Sequence, residues 1–234
     1  HKTVRRQRQM CIRDSYKTTA YQFNNTEHAA NLFGLKEFGN IYSRLGNPTV
    51  GALEARLTAL EEGAMCVALS SGTSAVMYSL INIMSQGDNF VTANQLYGGT
   101  YTMFDNILPE YGINSKKVDI TDLEAVEAAI DEKTRAIYCE TITNPGLVVA
   151  DISALADIAH SKGIPLIVDA TFTTSAILKP FEYGADIVVY SLTKWMSGHG
   201  RVIAGAVIEK GGFDWGNGNF CLLYTSPSPR DLWI

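Results

Sequence analysis

The chain has 234 residues, with 19 Lys and Arg against 24 Asp and Glu, a formal net charge of −5. No apolar run reaches the length of a membrane-spanning helix, and no basic stripe marks a surface for nucleic acid. What remains is an acidic globular chain, long enough to bury a substantial core as one domain or as one and part of another.

The two ends differ from the middle. Residues 1–15 (HKTVRRQRQMCIRDS) are basic and aperiodic, and residues 221–234 (CLLYTSPSPRDLWI) carry an SPSP run. Gln9 to Ser15 can be encoded by CAG-ATG-TGT-ATA-AGA-GAC-AGN, and Cys221 to Ser226 by TGT-CTC-TTA-TAC-ACA-TCT. The second string is the reverse complement of bases inside the first, as in sequencing-library adapters. Both ends are therefore read as adapter-like artefact tails and kept out of the fold reasoning. The middle then holds 13 basic and 22 acidic residues, net −9. Cys66 and Cys139 each lie in an apolar run, as small core residues of a reducing compartment do.

In chain order, residues 16–62 form an N-terminal arm and helix. A short helix is expected from Glu27 to Leu35, then an irregular loop, FGNIYSRLGNP. Asn47-Pro48 reads as an N-cap followed by proline at the first helical position. The helix it opens should run to about Glu62, with Leu53, Leu57 and Leu60 as its apolar face and Gly63 as its stop. Residues 63–220 alternate strands and helices. Strands are expected at 65–69, 90–93, 135–141, 165–170, 186–192 and 203–209. Helices are expected from Ser74 to Gln86, over 101–111, to Ile130 from a Thr121/Glu124 capping box, and from Ser153 to Lys162. Short apolar strands alternating with helices point to an α/β fold, a mainly parallel sheet covered on both faces.

In such sheets ligands bind outside the carboxyl ends of the strands. The polar groups expected there are Ser70 to Thr73, Tyr97 with Gly98 and Gly99, Glu140 to Asn144, Asp169 with Thr171, and Ser191 to Lys194. Ser71-Gly72-Thr73 is a small-residue turn opening a helix. It is either a structural turn or an anion site made by backbone N–H groups. Neither the Walker A pattern nor G-x-G-x-x-G is present. Asp169 ends an apolar strand, as a turn or cap residue or as the partner of a cation such as a pyridinium N–H. Lys194 is either a surface lysine or, if drawn partly out of water, a neutral amine able to form a Schiff base. Tyr97 is either a half-buried loop tyrosine or a ring stacked on a cofactor. Singly each sign is weak; their order along the chain is the argument.

That order resembles the Cys/Met-metabolism family of enzymes that depend on pyridoxal 5'-phosphate (PLP). The likeness covers residues 16–220 and six motifs: IYSRLGNPT, SSGTSA, YGGTY, ETITNP, VDATF and SLTKWMSGHG. It implies a three-layer, mainly parallel sheet of the aspartate-aminotransferase type, PLP fold type I, here without the family's C-terminal small domain. By resemblance, Lys194 is the covalent attachment point and Asp169 the partner of the pyridine nitrogen. Tyr97 is the stacking tyrosine that also assists proton transfer. Gly72 and Thr73 form the phosphate cradle, and Ser191 and Thr193 are its hydroxyl donors. Asn144 lies near the phenolic oxygen with Glu140 beside it, and Tyr42 and Arg44 reach the phosphate of a neighbouring subunit. No metal is expected.

GLKEFGNIYSR, the GHG after Lys194, and GGFDW look like the branch that replaces the acetate of O-acetylhomoserine with sulfide or a thiol, giving homocysteine or methionine. The γ-lyases and γ-synthases commonly read GHSD where Gly198-His199-Gly200-Arg201 stands. Ala170 and Leu192 depart from the family's usual Asn and Ala. The resemblance further implies a cytoplasmic homotetramer, a dimer of dimers, acting on small amino acids and not on nucleic acid or membrane. The missing domain carries the arginine for the substrate's α-carboxylate, so this chain by itself is expected to be inactive. Two alternatives stay open: a non-catalytic fragment that binds PLP or a subunit, and an α/β enzyme that holds a phosphate ligand without a Schiff base.

Overall fold

A computed structural model describes residues 15–220, so the adapter-like ends lie outside the described residues, Ser15 excepted. The chain divides into two compact units between Arg56 and Leu57, inside the helix over 48–61, so Leu57 to Glu61 belong to the second unit.

In the N-terminal unit, α1 (Thr26–Phe33) is capped by Asn25, whose side chain accepts from the His28 N–H at 2.8 Å. Asn47 accepts from the Thr49 N–H at 2.9 Å and Pro48 opens α2 (Pro48–Glu61), as the Asn-Pro pattern predicts. The expected apolar face of α2 does not hold. Leu57 is buried, Leu53 and Leu60 are exposed, and Glu61 is buried one turn after Leu57. Glu61 accepts from the buried Tyr190 hydroxyl, and burial raises its pKa despite that bond. An acid at position 61 therefore takes a place that the leucine spacing had assigned to Leu60. The left-handed residue after the helix is Glu62 (φ 59), not Gly63. Gly63 is required by contact instead, because a Cβ there would sit 2.8 Å from Ile208 Cγ2.

The second unit is built on a sheet of β1 (Met65–Leu69), β2 (Asn89–Ala93), β3 (Asn114–Val118), β4 (Thr134–Glu140), β5 (Leu166–Asp169), β6 (Ile187–Ser191) and β7 (Gly205–Glu209). Their order is β1-β7-β6-β5-β4-β2-β3. The pairings from β6 to β3 are parallel, and β7 lies antiparallel between β1 and β6. The carboxyl ends of β1, β2, β4, β5 and β6 thus share one edge. Phe104 packs edge-on against Phe90 (4.7 Å) and Tyr138 (5.2 Å) in the core, where Cys66 and Cys139 also lie.

Several boundaries move. Strand β3 was not expected: its sequence, NSKKV, is polar because it is an edge strand, with Lys116 paired to Asp131 at 2.6 Å. Helix α3 (Gly72–Ile81) stops short of Gln86, because the chain turns to bury Ile83 and Met84. The helix expected over 101–111 starts earlier, as α4 (Gly98–Thr102). It continues as a π-helical turn at Met103–Ile107 and a 3-10 turn at Leu108–Tyr111. The Thr121/Glu124 capping box is not formed. Asp122 caps α5 (Leu123–Ala129), accepting from the Ala125 N–H at 3.0 Å, while Thr121 donates to Asp119. Helix α6 (Ile152–Ser161) ends before Gly163, whose φ of +68 suits the expected stop.

Asp122→Ala should therefore cost about 1 kcal/mol of stability, the usual value of an N-cap, whereas Glu124→Ala should leave the urea midpoint nearly unchanged. Equal losses would restore the capping box.

Candidate active site

The carboxyl edge of the sheet opens into a crevice of about 640 Å³. It is lined by Gly72, Tyr97, Glu140, Asp169, Ser191 and Lys194 among others, so the strand ends converge as expected.

The α3 start is shaped for an anion. Ser71 caps the helix and accepts from the Ser74 N–H at 3.0 Å. The Gly72 and Thr73 N–H groups, the first two of the helix, have no carbonyl a turn behind them. A Cβ at Gly72 would meet Ser191 Cβ at 2.5 Å, so only glycine lets this turn close onto the end of β6. Ser191 Oγ lies in that same contact. The Thr193 hydroxyl is committed elsewhere: it accepts from the Ala204 N–H at 3.1 Å and lies 3.3 Å from the Ala204 carbonyl. Ser191 is thus the better placed of the two expected donors.

Glu140 and Asp169 end neighbouring strands in direct register. Asp169 accepts from the Thr171 N–H at 2.9 Å and the Tyr138 hydroxyl at 3.3 Å. Burial raises its pKa, and the bonds from Thr171 and Tyr138 oppose this. Its bonding partners are neutral donors, leaving its charge to be met from the crevice. Glu140 is buried and accepts from the Tyr97 N–H at 2.7 Å and the Asn144 N–H at 3.0 Å. Burial, with Asp169 next to it, pushes its pKa up to about 7.

Lys194 lies in the turn three residues beyond β6, its N–H donating to the Ser191 carbonyl at 3.2 Å. Of the two settings open to it, a surface lysine or one drawn partly out of water, the structure shows the first: it is exposed at the crevice rim because the turn carries it past the strand end. Tyr97 is 48% exposed, and its ring lies over Gly99, where a Cβ would come within 2.7 Å of Cε1. Asn144 is exposed on the same crevice. Tyr42 and Arg44 belong to the N-terminal unit, where the guanidinium stands 5.4 Å over the Tyr42 ring centroid.

A family model described as Cys/Met metabolism PLP-dependent enzyme matches residues 2–234. The chain belongs to this family. It is 48% identical to an O-acetyl-L-homoserine sulfhydrylase of Leptospira meyeri over 214 residues, which are 92% of this chain and 48% of the relative. An O-acetyl-L-homoserine sulfhydrylase of Thermus thermophilus is 49% identical, over 92% of this chain and 51% of its own. Among solved structures, one from Campylobacter jejuni, described as an O-acetylhomoserine (thiol)-lyase, carries a pyridoxyl-lysine monophosphate. It superposes with a TM-score of 0.86 and 40% identity over 94% of this chain and 54% of that one. A cystathionine gamma-lyase from Lactobacillus plantarum gives 0.76 and 37%, over 84% and 49%. The chain spans about half the length of the curated relatives it matches.

The residues present fit the family's cofactor. An acid awaiting a cation, an amine at the rim and a helix start closed by Gly72 stand in one crevice, and each suits a different part of PLP. Two supporting residues, Tyr138 and Gly205, escaped sequence reasoning, and Thr171, expected at the edge, has a joining role that the sequence does not show. Tyr138 reads as core aromatic, though standing two residues before Glu140 puts it on the same face of β4. Thr171 joins β5 to β6 by accepting from the Ser191 N–H at 2.7 Å. Gly205 gives no sequence signal, yet a Cβ there would lie 2.0 Å from the Ser71 carbonyl.

Gly205→Ala must push back the Ser71 carbonyl and with it the helix start. It should lower stability by roughly 1–3 kcal/mol, as overpacking does, and weaken PLP binding measured by absorbance titration. Unchanged affinity in a folded variant would show that the Ser71–Gly72 turn does not hold the phosphate.

Proposed function

We propose that the protein carrying these residues catalyses γ-replacement on O-acetylhomoserine, sulfide or a thiol displacing acetate to give homocysteine or methionine. The crevice shared by Lys194, Asp169, Tyr97 and the α3 start carries the reading, in a chain 48% identical to an O-acetyl-L-homoserine sulfhydrylase. The C–O bond at Cγ breaks, a C–S bond forms, and no oxidant or reductant is needed.

Bound PLP supplies an electron sink for the substrate's α-carbon. Asp169 holds the ring nitrogen's proton, for which its unmet charge suits it. Lys194 Nζ removes the proton from Cα and then labilises Cβ; its exposed position at the rim lets it both reach the cofactor and swing free for this work. Gly72 and Thr73 hold the phosphate by their N–H groups, with Ser191 and, less directly, Thr193 adding hydroxyls. Tyr97 covers the ring and assists departure of acetate, and Asn144 faces the phenolic oxygen. Tyr42 and Arg44 serve the phosphate of a second copy, in a homotetramer arranged as a dimer of dimers; a guanidinium suits that contact. The buried, apolar settings of Cys66 and Cys139 fit a cytoplasmic location.

The similarity to a cystathionine gamma-lyase favours one second reading, γ-elimination. Products separate them. In the whole protein, O-acetylhomoserine with sulfide should yield homocysteine, and 2-oxobutyrate from cystathionine or methionine would favour the lyase. Lys194→Ala should lower the rate at least 10²-fold or so, and Asp169→Ala should keep bound PLP but lose a similar factor. Normal turnover in Lys194→Ala would end the assignment.

A further inference from the structure

Glu140 ends β4 inside the sheet, 6% exposed, and among the described residues no cation contributes to its electrostatic surroundings. Its two oxygens are divided between two loops. One accepts from the N–H of Tyr97, after β2; the other accepts from the N–H of Asn144, after β4. Tyr97 stands at the start of α4, where its side chain makes no cap, and Asn144 precedes Pro145, which has no N–H to offer. Both loops thus present one backbone donor to the same carboxylate.

We propose that Glu140 is a positioning residue, a two-armed brace that sets the Tyr97 and Asn144 backbones against each other and so fixes the two residues that face the cofactor. This rests on the cofactor-site reading above, while the brace itself does not. Full bracing needs two acceptor oxygens. A glutamine has the same length but one oxygen and one NH₂, so one of its arms would set donor against donor. A protonated carboxyl has the same defect. The groups facing Glu140 are Asp169 on β5, in register with it, the Tyr138 hydroxyl and the Cys139 thiol on β4, and the backbone of Tyr97. Burial and the Asp169 charge favour the protonated form, while the two N–H donors favour the ionised one. Burial prevails, so the brace should be complete above about pH 7 and should loosen as the pH falls through that value. A cationic nitrogen bound at Asp169 would offset the neighbouring charge, so adding PLP should move the midpoint down.

The test uses uniformly ¹⁵N-labelled protein, with the Tyr97, Asn144 and Leu166 amides assigned. The Tyr97 and Asn144 amide resonances should titrate together near pH 7 and shift to a lower midpoint when PLP is added. In Glu140→Gln the common titration should vanish and at least one of the two amides should exchange more than about tenfold faster, the factor for a loss of 1.4 kcal/mol. Because Asp186 holds the Leu166 N–H at 2.9 Å away from this site, unchanged exchange at Leu166 shows that the variant is folded. PLP affinity of the variant, read by absorbance titration, should fall at least fivefold. Amides indifferent to both pH and the Gln substitution would overturn the brace. Altered amides with unaltered PLP affinity would overturn its positioning role. If PLP does not bind the unsubstituted protein while the amides behave as described, the cofactor reading fails and the brace stands.

Discussion

The site depends on the register between β4 and β5, which sets Glu140 directly beside Asp169 at the sheet's carboxyl edge. Two acids so placed cannot both be charged cheaply, and burial raises the pKa of each. Each is answered differently. Glu140 is met by two backbone N–H groups from flanking loops. Asp169 is met by Tyr138 and Thr171, which orient it but leave its charge for something positive to neutralise. A shift of one residue in this pairing would turn one of the acids to the opposite face and dissolve the arrangement.

Close backbone approach completes the crevice. Gly72 lets the α3 start lie against Ser191, and Gly205 lets β7 pass beneath the Ser71 carbonyl. Thr171 then ties the end of β5 to β6 through the Ser191 N–H. The α3 start, the acid and the lysine-bearing turn are thus positioned by one another, although they lie far apart in sequence. Lys194 stands outside this rigid frame, at the rim.

Much of this was legible in the sequence. The strand ends at Glu140, Asp169 and Ser191 follow from apolar runs that break at polar residues, and those runs fold as strands, with bounds moved by one residue at each end. The family was legible because the order of the motifs matches it, and the expected site residues of the sheet's carboxyl edge do line one crevice. What escaped has physical reasons. Strand β3 is an edge strand and carries lysines, so it lacks an apolar signature. Asp122 and Thr121 are both good N-caps, and only the backbone decides between them. Glu61 is buried and finds its donor in Tyr190, more than a hundred residues away, a contact that local sequence does not show. The need for glycine at 205 is likewise a contact between distant segments.

The central claim is that this crevice holds PLP with its aldehyde within reach of Lys194. The most direct measurement is borohydride reduction of the protein incubated with PLP, followed by peptide mapping. The account predicts a pyridoxyl mass increment concentrated on the peptide containing Lys194, and its loss when Asp169 is replaced by Lys. Modification spread over surface lysines such as Lys36 and Lys133, with none on Lys194, would contradict it.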